Sequence, residues 1–286
     1  MSGVTLSSGI RDALTSIQKA TQDAQVAQTR LATGKKVNTA IDNPLNFFTA
    51  AGLNSRAGDL GNLQDAMGQA VKTIEAASSG IDGMTKLLQT AQGLANSAAA
   101  TSDDSTRASL MTQYNTILAQ ADQLMQNSGY GGINLLAGDK LSVKFDSVST
   151  TSTLGIQNLA TGALTATALG VATGAAGAWT NGAAAGGTTG TAGNVAIETQ
   201  LTNLTKAVTT LRAEASALGA NAAIVKTRQD FTQSMINTLK AGADSLTLAD
   251  VNEEGANLIS LNTRGQLAQT SLSLASQREQ AVLRLF

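Results

Sequence analysis

Apolar and small residues recur along this chain at alternating intervals of three and four. Near the start they are Leu6, Ile10, Ala13, Ile17, Ala20, Ala24, Ala27 and Leu31, a heptad seam that predicts a helix with one buried edge. The stretch ATGKKVNTAIDNPLN interrupts it, with Gly34 as the expected C-cap and Pro44, the sole proline, as the expected opening of the next helix. A second seam, Leu60, Leu63, Met67, Ala70, Ile74, Ala77, Ile81, Met84, Leu88, Ala91, Ala95 and Ala98, runs without a break. It predicts a helix of about 50 residues, roughly 75 Å at 1.5 Å per residue. TSDDSTRA then supplies capping residues, read as Ser102 at the cap with Asp103 and Asp104 in the first turn. A third helix follows, with Leu110, Tyr114, Ile117, Ala121 and Leu124 on its seam.

Beyond it the period changes. NLLAGDKLSVKFDSV turns at Gly138 and Asp139 and alternates Leu141, Val143 and Phe145, the period of two of a half-buried strand. One or two hairpins are expected between about 133 and 160. From Ser147 to Ile197 there is no Asp, Glu, Lys or Arg, and Gly, Ala and Thr dominate. Such a segment reads as a few short strands up to about Leu159 and loop thereafter. The seam resumes at Ile197, Leu201, Leu204, Val208, Leu211, Ala215, Leu218, Ala222 and Val225, passes through the polar Gln229 and Thr232, and continues at Ile236, Leu239 and Ala243. After the break ADSLTLADVNEEGAN, the last helix carries Leu261, Ala268, Leu272, Ala275, Val282 and Phe286.

These elements define a mainly α fold: an elongated rod of coiled coil and helical bundle with a small hairpin-rich outer part. Residues 1–44 pair with 250–286 as terminal helices, residues 45–146 and 195–249 form the bundle, and 147–194 make a short surface segment. Two thin helices alone bury little, so the terminal pair is expected to order only when further copies pack around it. The apolar stripes of both ends are therefore candidate contacts: Ile10, Ile17, Leu31, Leu261, Leu272, Val282 and Phe286.

Composition narrows the function. With 42% hydrophobic but only 3% aromatic residues, the apolar supply is small side chains, which suits closely packed helices. The chain has no cysteine and no histidine, which removes thiolate nucleophiles, imidazole–metal sites and the commonest general base, so no enzyme and no cofactor are expected. A net charge of −1 with scattered Lys and Arg offers no phosphate-tracking stripe, so nucleic acid is not an expected partner. No run approaches the roughly 18 apolar residues of a membrane helix, and the N-terminus lacks the pattern of a cleavable secretion signal. Asp250, Glu253 and Glu254 read as a helix cap and first turn rather than as a metal cluster.

The segment QTRLATGKKVNTAIDNPLNFFTAAGLNSRAGDL resembles the N-terminal region of bacterial flagellins, carried by Leu31, Gly34, Lys36, Val37, Asn38, Ala40 and Asp42. YGGINLLAG is similar to that family's turn into its hairpin, and NEEGANLISLNTRGQLAQTSLSLASQREQAVLRLF to its C-terminal helix. The resemblance implies a secreted structural subunit: terminal helices forming an inner coiled coil, the bundle a surrounding shell, and the middle facing solvent. It places Gly34, Asn38, Asp42 and Pro44 in the loop joining the two shells. It also implies unfolded passage through a flagellar type III export apparatus, an export chaperone, hook–filament junction and cap proteins as partners, and assembly at the distal tip into a helical homopolymer. The rival readings are a hook–filament junction protein, which shares both ends, and a coiled-coil adhesin of closed symmetry.

Overall fold

The structure, a computed structural model, describes residues 8–146, 152–157, 162–175, 177–180 and 192–283. Among them five helices carry the fold: α1 (Ser8–Thr33), α2 (Pro44–Ala100), α3 (Asp104–Gln126), α4 (Ala192–Thr247) and α5 (Val251–Leu283). A single 3-10 turn (Leu135–Ala137) and a two-stranded antiparallel sheet, β1 (Leu141–Lys144) with β2 (Thr153–Ile156), stand between α3 and α4. The fold is mainly α, as the heptad spacing requires.

Local chemistry sets the helix ends. Gly34 ends α1 at φ +68°, a backbone region that costs a residue with a Cβ. Pro44 opens α2, and the Asn43 side chain accepts from the Asn46 amide at 3.0 Å. At α3 the cap is Asp103 rather than Ser102. The Asp103 carboxylate takes the Thr106 amide at 2.8 Å and the Ser105 hydroxyl at 2.7 Å. A carboxylate reaches several donors at once, where a serine hydroxyl one residue earlier would not. Asp250 caps α5 by accepting from the amides of Asn252 and Glu253 at 2.9 and 3.3 Å.

The chain divides into two compact units, one of residues 1–58 and 236–286, the other of 59–235. α2 and α4 each contribute to both.

The second unit holds one continuous core. The α2 seam enters it from Met67 to Ala98, with Met67, Ala77, Met84, Leu88, Ala91, Ala95 and Ala98 fully covered. α4 brings Ile197, Leu204, Leu211, Leu218 and Val225. On α3, Tyr114 and Ala121 are buried as read, but the centre of the buried face lies toward Arg107, Met111, Leu118 and Met125, with Leu110, Ile117 and Leu124 packed at its margin. Helices approach closely where glycine allows. A Cβ on Gly80 would stand 2.5 Å from the Ser128 Cβ, and one on Gly83 2.5 Å from Leu124 Cδ2. The hairpin register is Leu141 to Ile156 and Val143 to Leu154, with Leu141, Val143 and Ile156 turned inward.

The charge-free segment departs from a plain loop. Within it β2 is a strand, as expected before Leu159, and the later described part, 162–175 and 177–180, forms turns in which Leu164, Ala166, Val171 and Trp179 are buried in the same core. It lies along α3 as a strap held at successive turns. Asp122 accepts from the Ala166 amide at 2.6 Å, and Asn115 both donates to the Gly174 carbonyl and accepts from its amide at 2.9 Å. Arg107 donates to the Trp179 carbonyl at 3.3 Å. Without charged residues of its own, this strap is held by its buried apolar side chains and by polar side chains of α3.

The first unit has a thinner core. Of the 40 buried hydrophobic residues among those described, eight belong to it: Ile10, Ala27, Val37, Ala50, Ala57, Ile236, Ala243 and Leu261. Half of these are alanines. Thr232, which belongs to the second unit, and Ile236 are both buried, so the α4 seam passes through its polar interruption unchanged.

Candidate functional site

The terminal helices α1 and α5 pack against each other in the first unit. Their direction is set at one end, where the strand-like stretch after α1 meets the one before α5. Lys35 bridges to Leu248, the Lys36 amide donates to the Thr247 carbonyl at 2.7 Å, and the Ala249 amide to the Gly34 carbonyl at 3.0 Å. The end of α1 thus adjoins the start of α5, and the pair runs antiparallel. A half-exposed Arg30 donates to Glu254 Oε1 at 3.0 Å, an ion pair across the seam. The second oxygen of Glu254 is buried without a hydrogen-bond partner.

Five of the seven candidate contact residues have a definite place. Ile10 and Leu261 are buried in this seam, and Ile17, Leu31 and Leu272 are half-buried there. Val282 lies on the last turn of α5 with its side chain outside the described residues, and Phe286 is outside them altogether. The seam spacing therefore serves first to join the two helices of one chain.

Gly34, Asn38, Asp42 and Pro44 are the corners of the turn from α1 to α2. Asp42 folds back to accept from the Thr39 and Asn38 amides at 2.9 and 3.0 Å, and Asn38 donates to the Lys35 carbonyl at 3.1 Å. The Thr39 and Asn38 amides hold the Asp42 carboxyl below the usual carboxylate range.

What the seam pattern did not reveal is the outward side. Of the 14 large hydrophobic residues exposed among those described, ten belong to the first unit: Leu14, Val26, Ile41, Leu45, Phe48, Leu248, Val251, Ile259, Leu267 and Leu274. Ile41 is 93% exposed, Leu45 76% and Phe48 65%. On α5, Leu267 and Leu274 are one heptad apart and precede the seam residues Ala268 and Ala275, so they point away from α1. A unit with a thin core and an apolar exterior has contact surface left over.

The bacterial flagellin N-terminal helical region matches residues 10–141 of this chain, and the bacterial flagellin C-terminal helical region matches residues 201–286. The chain belongs to the bacterial flagellins. It is similar from end to end to flagellins FljM and FljN of Caulobacter vibrioides, with 27% and 28% identity over 100% of this chain and 99% of each relative. It is also similar to a flagellin of Brucella melitensis, at 25% identity with the same coverage. As a flagellin it is a non-enzymatic structural subunit that self-polymerises into the extracellular filament of swimming bacteria. Among its described residues no helix is long and apolar enough to cross a membrane. The ten outward hydrophobics are the part of this flagellin most in need of a neighbour.

Proposed function

We propose that residues 1–44 and 250–286 form the innermost layer of the filament, residues 45–146 and 195–249 the shell around it, and 147–194 the solvent side. The subunit is exported unfolded, held by an export chaperone beforehand, and added at the distal tip under a cap, on a base of hook–filament junction proteins. The observation that supports this reading is the imbalance within the first unit: few buried apolar residues and most of the exposed large ones. A terminal pair with that distribution has little core of its own to lose, and gains burial beside other copies. In this reading Ile10, Ile17, Leu31, Leu261 and Leu272 build the two-helix unit that neighbours contact, Val282 and Phe286 extend it, and the Gly34–Pro44 turn links the layers.

Hydrogen exchange on monomer and filament, followed across 8–33 and 251–283, tests it. Fast exchange of both segments in the monomer with strong protection in the filament is expected. Equal protection in the monomer would refute ordering by assembly. A chain shortened to end at Gln280 is expected to stay monomeric while the Trp179 core remains folded.

A further inference from the structure

Six of the ten outward apolar residues of the first unit fall into two groups. One is a knob at the turn into α2, made of Ile41, Leu45 and Phe48 at spacings of four and three. The other is a stripe on α5, made of Ile259, Leu267 and Leu274 on the side away from α1. They lie at different heights. Asn46, inside the knob, comes within 3.5 Å of the Leu246 carbonyl at the end of α4, next to the start of α5 at Val251. From Val251 the stripe extends to positions 8, 16 and 23 residues along the helix, about 12 to 35 Å at 1.5 Å per residue.

We propose that the knob of one copy seats on the α5 stripe of the next. The inference rests on the filament reading and specifies its contact. Knob against knob, or stripe against stripe, is a self-complementary contact that closes into a dimer and stops. A filament needs two unlike patches per subunit, and an axial offset between them lets each new copy present a free stripe. The unit has two such patches, each of three large side chains. The rest of the pair is a poorer receptor: outside the seam α1 shows Leu14 and Val26 among Arg11, Asp12, Gln18, Lys19, Gln22 and Asp23. Phe48 is of the aromatic kind that is enriched at the buried centre of such contacts.

The chain has no cysteine, so engineered thiols report without background. Single variants Leu45→Cys and Leu267→Cys are each diluted into wild-type subunits, singly and together, then polymerised and oxidised. A disulfide needs Cβ atoms within about 4.5 Å, so a linked dimer is expected only where both variants share a filament. A dimer from Leu267→Cys alone or from Leu45→Cys alone would overturn the unlike pairing, as would intact filaments with no linked dimer in any mixture. As a second measurement, Leu267→Ser is expected to lose polymerisation while hydrogen exchange of 59–235 is unchanged, and normal polymerisation of that variant would overturn the role of the stripe. Wild-type chain that forms no filament at all would instead overturn the filament reading beneath the proposal.

Discussion

Arg107 is the sharpest test of how the charge-free strap is held. It is 2% exposed and donates to the Thr101 carbonyl at 2.6 Å, the Asn194 side-chain oxygen at 2.6 Å and the Trp179 carbonyl at 3.3 Å. One planar fork therefore ties the α2–α3 turn, the strap and the start of α4 together, a geometry that needs guanidinium. Replacing it by Met removes two short charge-assisted bonds worth about 1.5–3 kcal/mol each. Part of that loss is offset, because a buried cation no longer has to be kept from water. A net cost of about 2–4 kcal/mol is expected. Lys keeps the charge but cannot reach three divergent acceptors, so Arg107→Lys should cost as much or more. The assay is built in. Trp179 is the sole tryptophan, 1% exposed, with its ring 4.9 Å from Tyr114. Denaturant unfolding read by its emission should show the loss in both variants, with a red shift before the main transition as the strap lifts. A Met variant within about 0.5 kcal/mol of the parent with unshifted emission would refute the reasoning, and so would full rescue by Lys.

Gly80→Ala should destabilise the second unit by about 1–3 kcal/mol, since the added methyl meets Ser128 and Leu136; chemical denaturation measures it. Leu261→Ala, in the seam, should cost about 2–4 kcal/mol of α1–α5 pairing and weaken polymerisation with it, read by hydrogen exchange of 8–33 within filaments and by filament yield. Asp103, held at about 2 by the Thr106 and Ser105 hydroxyls and the Thr106 amide, has its carboxyl lowered by folding. Its contribution is present above the ordinary carboxylate range near 3.8 and is lost as pH falls through about 2. Amide protection in the first turn of α3 should therefore persist at pH 5 and fall between about 4 and 2, and Asp103→Asn should flatten that dependence.

Much of the fold was legible because heptad spacing is a local signal. The seams from Ile10 to Leu31 and from Met67 to Ala98 appear in the structure as read, and Pro44, Gly34 and Asp250 mark helix ends through chemistry that acts within a few residues. The missed features depend on distant partners. The displacement of the α3 face toward Arg107 and Met111 follows from their meeting the strap, which helical period alone does not encode. The strap carries no strand or helix pattern because its hydrogen bonds go to Asn115 and Asp122 on another element.

The candidate contacts divide in the same way. Spacing identified which residues of α1 and α5 are apolar and periodic, and end-to-end similarity to flagellins identified the family. Neither separates a seam satisfied within one chain from a face awaiting another. Only the tertiary structure did, by covering Ile10 and Leu261 while leaving Ile41, Phe48 and Leu267 in solvent. The reason is physical: periodicity is a property of one helix, whereas burial depends on what occupies the space beside it.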